Sequence, residues 1–200
     1  MDASLKKLKR KMELTPKFIV NQLQLFKNEV FIFDLNDEVD SNQVAEICHF
    51  YKTEEFKEKE NKTALTSWRS DNYPVANNRM PKFQFLIDLV SQKLKPIWKH
   101  PYTFVVDHYW FAIYNNGDYA VEHDHGQADL SCVYYVSVPE NSAPLILPSK
   151  DGDVLINPKT GMLVVFPGKC SHKVPKSEHQ GERIIISMNI FKDKFLGFIK

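Results

Sequence analysis

The chain changes character at Pro101, and its second half admits few folds. Six apolar, strand-like runs lie there: Tyr102–Tyr114, Ala120–His125, Leu130–Pro139, Asp153–Asn157, Gly161–Phe166 and Arg183–Phe191. Turn signals separate them, among them Asn116-Gly117-Asp118, Asp151-Gly152-Asp153 and Pro158-Lys159-Thr160-Gly161. Short strands with such punctuation read as an antiparallel sandwich or barrel. Before Pro101 the period is helical. Asp40 or Ser41 is a plausible N-cap for a helix over Ser41–Lys59, with Val44, Ile47, Cys48 and Tyr51 on one face. Pro81 opens a second helix whose stripe is Phe85, Leu86, Leu89, Val90 and Leu94, closed by Pro96. One strand, Glu29–Phe33, is expected ahead of them. The expectation is a single domain over 1–200: a mostly helical covering segment, 1–100, on a β core, 101–193.

Composition narrows the function classes. The 200 residues carry 26 Lys+Arg against 25 Asp+Glu, a balance that argues against a dedicated nucleic-acid binder. The exception is a basic cluster, Lys6, Lys7, Lys9, Arg10 and Lys11, within a segment Ser4–Met12 that reads as a short amphipathic helix or a solvated tail. No apolar run is long enough for a membrane span, and no apolar stretch succeeds the basic cluster as in a secretory signal. Cys48, Cys132 and Cys170 are an odd number without a CxxC pair, which points to a reducing, cytoplasmic setting.

The chemistry-bearing residues are histidines. His123 and His125 stand at i and i+2 in Val121-Glu-His-Asp-His-Gly126, and alternate residues of a strand share a face. His172 comes after the apolar strand ending at Phe166. Two imidazoles from one strand and a third from a neighbour make a facial three-ligand metal site with open positions, suited to Fe(II). The competing reading is a pair of surface histidines. On the strand Arg183–Phe191, Ile184, Ile186, Met188 and Ile190 share one face and Arg183, Ile185, Ser187 and Asn189 the other. The aliphatic face should pack against a helix or second sheet. Arg183 would then look into the barrel mouth, where an unpaired guanidinium is costly and a carboxylate is its natural partner. A structural ion pair with an internal Asp or Glu would answer the same need. Tyr135 and Tyr114 are candidate hydrogen-bond donors in that cavity, or core aromatics with the hydroxyl at an edge.

Taken in order, Trp110-Phe-Ala-Ile-Tyr114, Gly117-Asp-Tyr119, His123-Asp-His125, Leu130-Ser-Cys-Val-Tyr-Tyr-Val136, Val164-Val-Phe-Pro167, His172-Lys-Val-Pro175 and Arg183-Ile-Ile-Ile-Ser-Met-Asn189 form a recognisable series. It resembles the 2-oxoglutarate/Fe(II)-dependent oxygenases, in particular a small branch found in marine bacteria and their phages and related to the prolyl 4-hydroxylases. The resemblance covers Tyr102–Phe191, with Ser67-Trp-Arg-Ser70 as a loose match before it. It implies a mainly β fold with N-terminal helices, a double-stranded β-helix (jelly roll, cupin-like). It implies Fe(II) held by His123, His125 and His172, which are also the catalytic centre. It implies that Arg183 holds the far carboxylate of 2-oxoglutarate, helped by Tyr135, with Tyr114 and Ser187 in the same pocket. The reaction would be hydroxylation with O2, coupled to decarboxylation of 2-oxoglutarate to succinate.

One departure affects the metal. Most of the superfamily has Asp where this chain has His125, so Asp124 and Asp129 are weighed as alternative second ligands. Two further readings stay open: a three-histidine iron dioxygenase that does not use 2-oxoglutarate, and a non-enzymatic jelly-roll binding module with structural or zinc-binding histidines. No code for a prime substrate or an oligomeric state is legible. Selectivity is expected in the loops Asn61–Arg79 and Glu140–Asp151, with Trp68, Arg69 and Asp71 as rim candidates.

Overall fold

Alternation along one long strand organises the molecule. In the computed structural model, which describes residues 21–25, 28–59, 63, 66–97, 103–149 and 152–193, the last strand, β12 (Arg183–Asp193), runs through the middle of an eight-stranded sheet. It pairs antiparallel with β5 (Thr103–Tyr114) from Arg183↔Tyr114 to Asp193↔Thr103, and on its other side with β7 (Leu130–Ser137). Beyond β7 come β10 (Met162–Pro167), β2 (Asn28–Asp34) and β1 (Asn21–Leu25). The opposite edge is closed by β3 (Trp68–Arg69) and β4 (Tyr73–Pro74), both paired to β5. A second sheet has the order β6 (Ala120–His123), β11 (His172–Val174), β8 (Leu145–Leu147), β9 (Val154–Ile156). This is the expected mainly β, double-stranded β-helix fold.

The two faces of the large sheet bury different partners. Ile184, Ile186, Met188 and Ile190 pack outward with Tyr109, Phe111 and Ile113 of β5 against α1 (Ser41–Tyr51) and α2 (Gln84–Leu94). Val44, Cys48 and Tyr51 from α1 and Leu86, Val90 and Leu94 from α2 complete that core. The inner face presents Val133, Tyr135, Val164 and Ile185 to Leu145, Ile156 and Val174 of the small sheet. The outward side of β12 is thus the aliphatic one, as its alternation demands.

Local signals explain the helix starts. The Asp40 carboxylate accepts from the backbone N–H groups of Asn42 and Gln43 at 3.0 and 3.3 Å, capping α1. Pro81 sits in a 3₁₀ turn, Pro81–Phe83, that leads into α2.

The first hundred residues are less helical than their pattern suggests. Helix α1 ends at Tyr51 instead of Lys59, because the chain then turns (Thr53 N–H to Tyr51 O, Phe56 N–H to Thr53 O) and forms a bridge between Lys57 and Ser70. Phe56, in that turn, packs edge-on against Tyr51. Four strands, β1 to β4, lie in this half, and Glu29–Phe33 is the centre of β2. The two-residue strands β3 and β4 exist only through pairing to β5, so no periodicity announces them. In the second half β6 stops at His123, two residues short of the expected end, and β8 and β11 are three-residue strands outside the expected set. The segment Ser4–Met12 lies outside the described residues. Among those residues no helix is long and apolar enough to cross a membrane.

Candidate metal and anion site

The inner faces of the two sheets enclose a cavity of about 250 Å3. At one end His123 and His172 are direct cross-strand neighbours on β6 and β11. Each is fixed in the same way. His123 Nδ1 bonds the carbonyl of Val121 at 2.8 Å, and His172 Nδ1 bonds that of Cys170 at 3.0 Å. With Nδ1–H donating, each ring leaves its Nε2 lone pair for the cavity.

His125 arrives differently. It lies just past β6, where its backbone N–H donates to Gly168 O at 2.7 Å. Gly168 is required there, since a Cβ would stand 2.1 Å from the Ala128 carbonyl oxygen. The His125 ring stacks on His172 with a 3° interplanar angle, and their Nε2 atoms are 3.2 Å apart. It also stacks on Trp110, at 5.5 Å between centroids, and hydrogen-bonds Asn189.

Ligand nitrogens of the three histidines all lie within 4.8 Å of one another. Two donors bound at ~2.1 Å and at right angles around one cation stand ~3 Å apart, close to the spacing of the His125 and His172 Nε2 atoms. Burial is the main cause that pushes the His125 and His172 pKa values down, to about 3 and about 4, reinforced by the neighbouring imidazoles. Burial also lowers that of His123. All three are neutral near pH 7, the form that ligates a metal. The donor set therefore fits a cation.

The alternative carboxylates are committed elsewhere. Asp124 accepts from Gly126 N–H at 2.8 Å. Asp129 accepts from the Lys192 backbone at 2.9 Å and pairs with its ammonium at 2.9 Å. Among the described residues the converging cluster consists of histidines alone.

Arg183, 2% exposed, also lines the cavity. Its guanidinium donates to the Ala143 carbonyl at 2.7 Å, while its Nε is buried without a partner. Tyr135 and Tyr114 flank it, with ring centroids 5.4 and 5.7 Å away. Burial raises the pKa of both phenols and outweighs the opposing effect of the Arg183 charge, so they remain donors at neutral pH. Among the described residues no carboxylate pairs with Arg183. The alternative weighed for it, an internal ion pair, is not formed with any described carboxylate. A buried cation with donors around it is a receptor for an anion. Ser187 lines the same cavity on the same strand face as Arg183.

Of the rim candidates, Arg69 lines the cavity, whereas Trp68 packs on Phe111 in the outer core and Asp71 lies outside the lining. Among the lining residues to which the sequence-based reading gave no role are Trp110, Asn189 and Asn72, whose buried Oδ1 has no hydrogen-bond partner. Trp110 and Asn189 fall on cavity-facing positions by alternation alone. Nothing in the sequence marks Asn72.

Comparison with known proteins agrees with this geometry. Residues 149–189, which carry His172, Ser187 and Arg183, match the family described as "Putative 2OG-Fe(II) oxygenase". No curated protein matches the sequence. A prolyl hydroxylase from Trichoplax adhaerens, solved with a peptide fragment of the hypoxia inducible factor oxygen degradation domain, is similar over 96% of this chain and 94% of its own, with a TM-score of 0.64 and 16% identity. The viral collagen prolyl hydroxylase of Paramecium Bursaria Chlorella virus-1, solved with 2-oxoglutarate, is similar over 80% and 94%, with a TM-score of 0.56 and 17% identity. A Pseudomonas putida prolyl-4-hydroxylase is similar over 76% and 85%, with a TM-score of 0.53 and 16% identity. At such identities the structures establish the shared fold. The matched segment is similar to that oxygenase family over residues 149–189, the part of the fold that carries His172 and Arg183.

Proposed function

We propose that the protein is a 2-oxoglutarate-dependent hydroxylase in which His123, His125 and His172 hold Fe(II) and Arg183 selects the cosubstrate. The observation that carries this reading is the buried guanidinium of Arg183, facing the cavity that the histidines enter and unpaired by any described carboxylate. Its geometry suits the far carboxylate of a small diacid, which can be held bidentately. Tyr135 and Tyr114 donate to the same carboxylate, and Ser187 borders it.

The iron and 2-oxoglutarate supply the oxidising power when bound, with O2 as oxidant and succinate as co-product. This chain's own residues place and protect. Arg183 sets the depth at which the diacid sits. The Nδ1 bonds of His123 and His172 keep two ligand rings in register. The apolar wall of Val133, Phe166, Val174 and Ile185 excludes water from the reacting end. Asn72 lines the same cavity with a buried carboxamide oxygen that has no hydrogen-bond partner. An N–H donor such as a peptide amide would satisfy it, so peptides head the substrate screen.

Succinate release from 2-oxoglutarate tests the reading. The Fe(II) protein should produce succinate in an O2-dependent reaction, faster with a matching substrate. Arg183→Leu should lose that turnover at the same cosubstrate concentration while keeping metal binding. Equal turnover by the variant would remove Arg183 from its role. The neutral ligand set gives specific support to the three-histidine dioxygenase that dispenses with 2-oxoglutarate. O2 uptake without succinate would decide for it.

A further inference from the structure

We infer that Trp110 and Arg69 are positioning residues for the His125 ligand, an inference that rests on the proposed three-histidine metal site. The asymmetry of the triad motivates it. His123 and His172 sit on paired strands, and each locks its ring through Nδ1 to the carbonyl two residues earlier. His125 lies beyond the end of β6, and the residue two before it is the ligand His123. Besides the stack on His172, its ring is oriented by the stack with Trp110, at 5.5 Å and 25°, and by a hydrogen bond that it donates to Asn189.

Trp110 is held in turn. The Arg69 guanidinium carbon lies over its ring, 4.8 Å from the centroid, and Arg69 forms an ion pair with the largely buried Glu58. A desolvated cation over an indole face is a favourable contact, and the carboxylate fixes where that cation sits. Glu58 is tied in by its backbone N–H, which donates to Arg69 O at 2.9 Å. A chain of contacts therefore runs from Glu58 through Arg69 and Trp110 to His125. It connects the covering half of the molecule, which supplies β3, to one ligand of the metal. With its ring engaged by His125 and Arg69, Trp110 acts as a support in the cavity wall.

The test is Co(II) binding to the full chain, read by the visible absorption spectrum and by titration. Trp110→Leu should weaken Co(II) binding by about tenfold or more and alter the ligand-field bands, as loss of ligand support does elsewhere. Trp110→Phe, which keeps a flat ring, should restore much of the effect. In a His125→Ala background Trp110→Leu should cost nothing further, because the ligand it serves is gone. An equal loss in both backgrounds would mark Trp110 as a packing residue and overturn the inference. So would an unchanged Co(II) spectrum in Trp110→Leu. If that variant does not fold, the charge-neutral pair Arg69→Gln with Glu58→Gln carries the same test: weakened binding that disappears in the His125→Ala background supports the chain of contacts, and undiminished binding overturns it. A wild-type protein that binds no Co(II) would instead remove the metal site itself.

Discussion

A guanidinium sealed from water must find negative charge, and Arg183 is the residue on which this consideration bears most. It is buried at 2% exposure, with the Ala143 carbonyl and the Tyr135 hydroxyl oxygen as acceptors, and its Nε is unpaired. A charge-assisted contact to a bound carboxylate is worth about 3 kcal/mol, on the order of 100-fold in Kd. Arg183→Leu should weaken 2-oxoglutarate binding by that order and leave Fe(II) affinity within a few-fold, measured by calorimetric titration under nitrogen. Arg183→Lys should fall between, because an ammonium cannot present a two-pronged donor.

The histidines make a second prediction at this scale. Their ordinary pKa is 6.5, and in the folded chain His125 and His172 lie at about 3 and about 4. Between pH 6.5 and those values the unfolded chain binds protons that the folded chain does not. Stability present above pH 6.5 is therefore lost as pH falls. Chemical denaturation of metal-free protein from pH 7 to 4.5 should show this decline. His125→Gln with His172→Gln should flatten it, and an unchanged slope in the double variant would contradict the assignment.

At the scale of elements, a three-residue strand and a loop carry the site. Gly168 lies between β10 and β11, with its carbonyl accepting from His125 and its Cα against the Ala128 backbone. Gly168→Ala puts a methyl where there is no room, so the loop bearing His125 must move. Overpacking of this kind costs about 1 to 3 kcal/mol. The variant should melt lower than the parent and bind Fe(II) at least several-fold more weakly, whereas Gly117→Ala, strained by its φ of +81° but with open space around its Cα, should also melt lower yet leave Fe(II) affinity unchanged.

Legibility also divides by element. Strand β12 could be read outright, because strict alternation of Ile184, Ile186, Met188 and Ile190 with Arg183, Ile185, Ser187 and Asn189 assigns both faces. Helices α1 and α2 announce themselves through caps and stripes. Strands β3, β4, β8 and β11 do not, since two or three residues carry no period and exist only through their partners. His125 shows the same limit within the site. The i, i+2 argument places it on the strand with His123, while the structure brings it in from the turn after that strand, through Gly168 and Trp110. Asn72 could not be anticipated, because its significance lies in an unpaired oxygen visible only in three dimensions.

For the molecule as a whole, the two halves of the chain share one sheet. The first half supplies β1 and β2 at one edge, β3 and β4 at the other, and two helices over the outer face. The large sheet then contributes Arg183, Tyr114 and Tyr135, while the small sheet contributes His123 and His172. The proposed metal and anion sites thus belong to opposing walls of one cavity, and a ligand that spans them must be both a chelator and a carboxylate. Anaerobic addition of 2-oxoglutarate to the Fe(II) protein tests this most directly. A visible charge-transfer band should appear with one equivalent of iron per chain, and at the same 2-oxoglutarate concentration it should be absent from Arg183→Leu. Iron bound with no band in the wild type, or an equal band in the variant, would contradict the joint site.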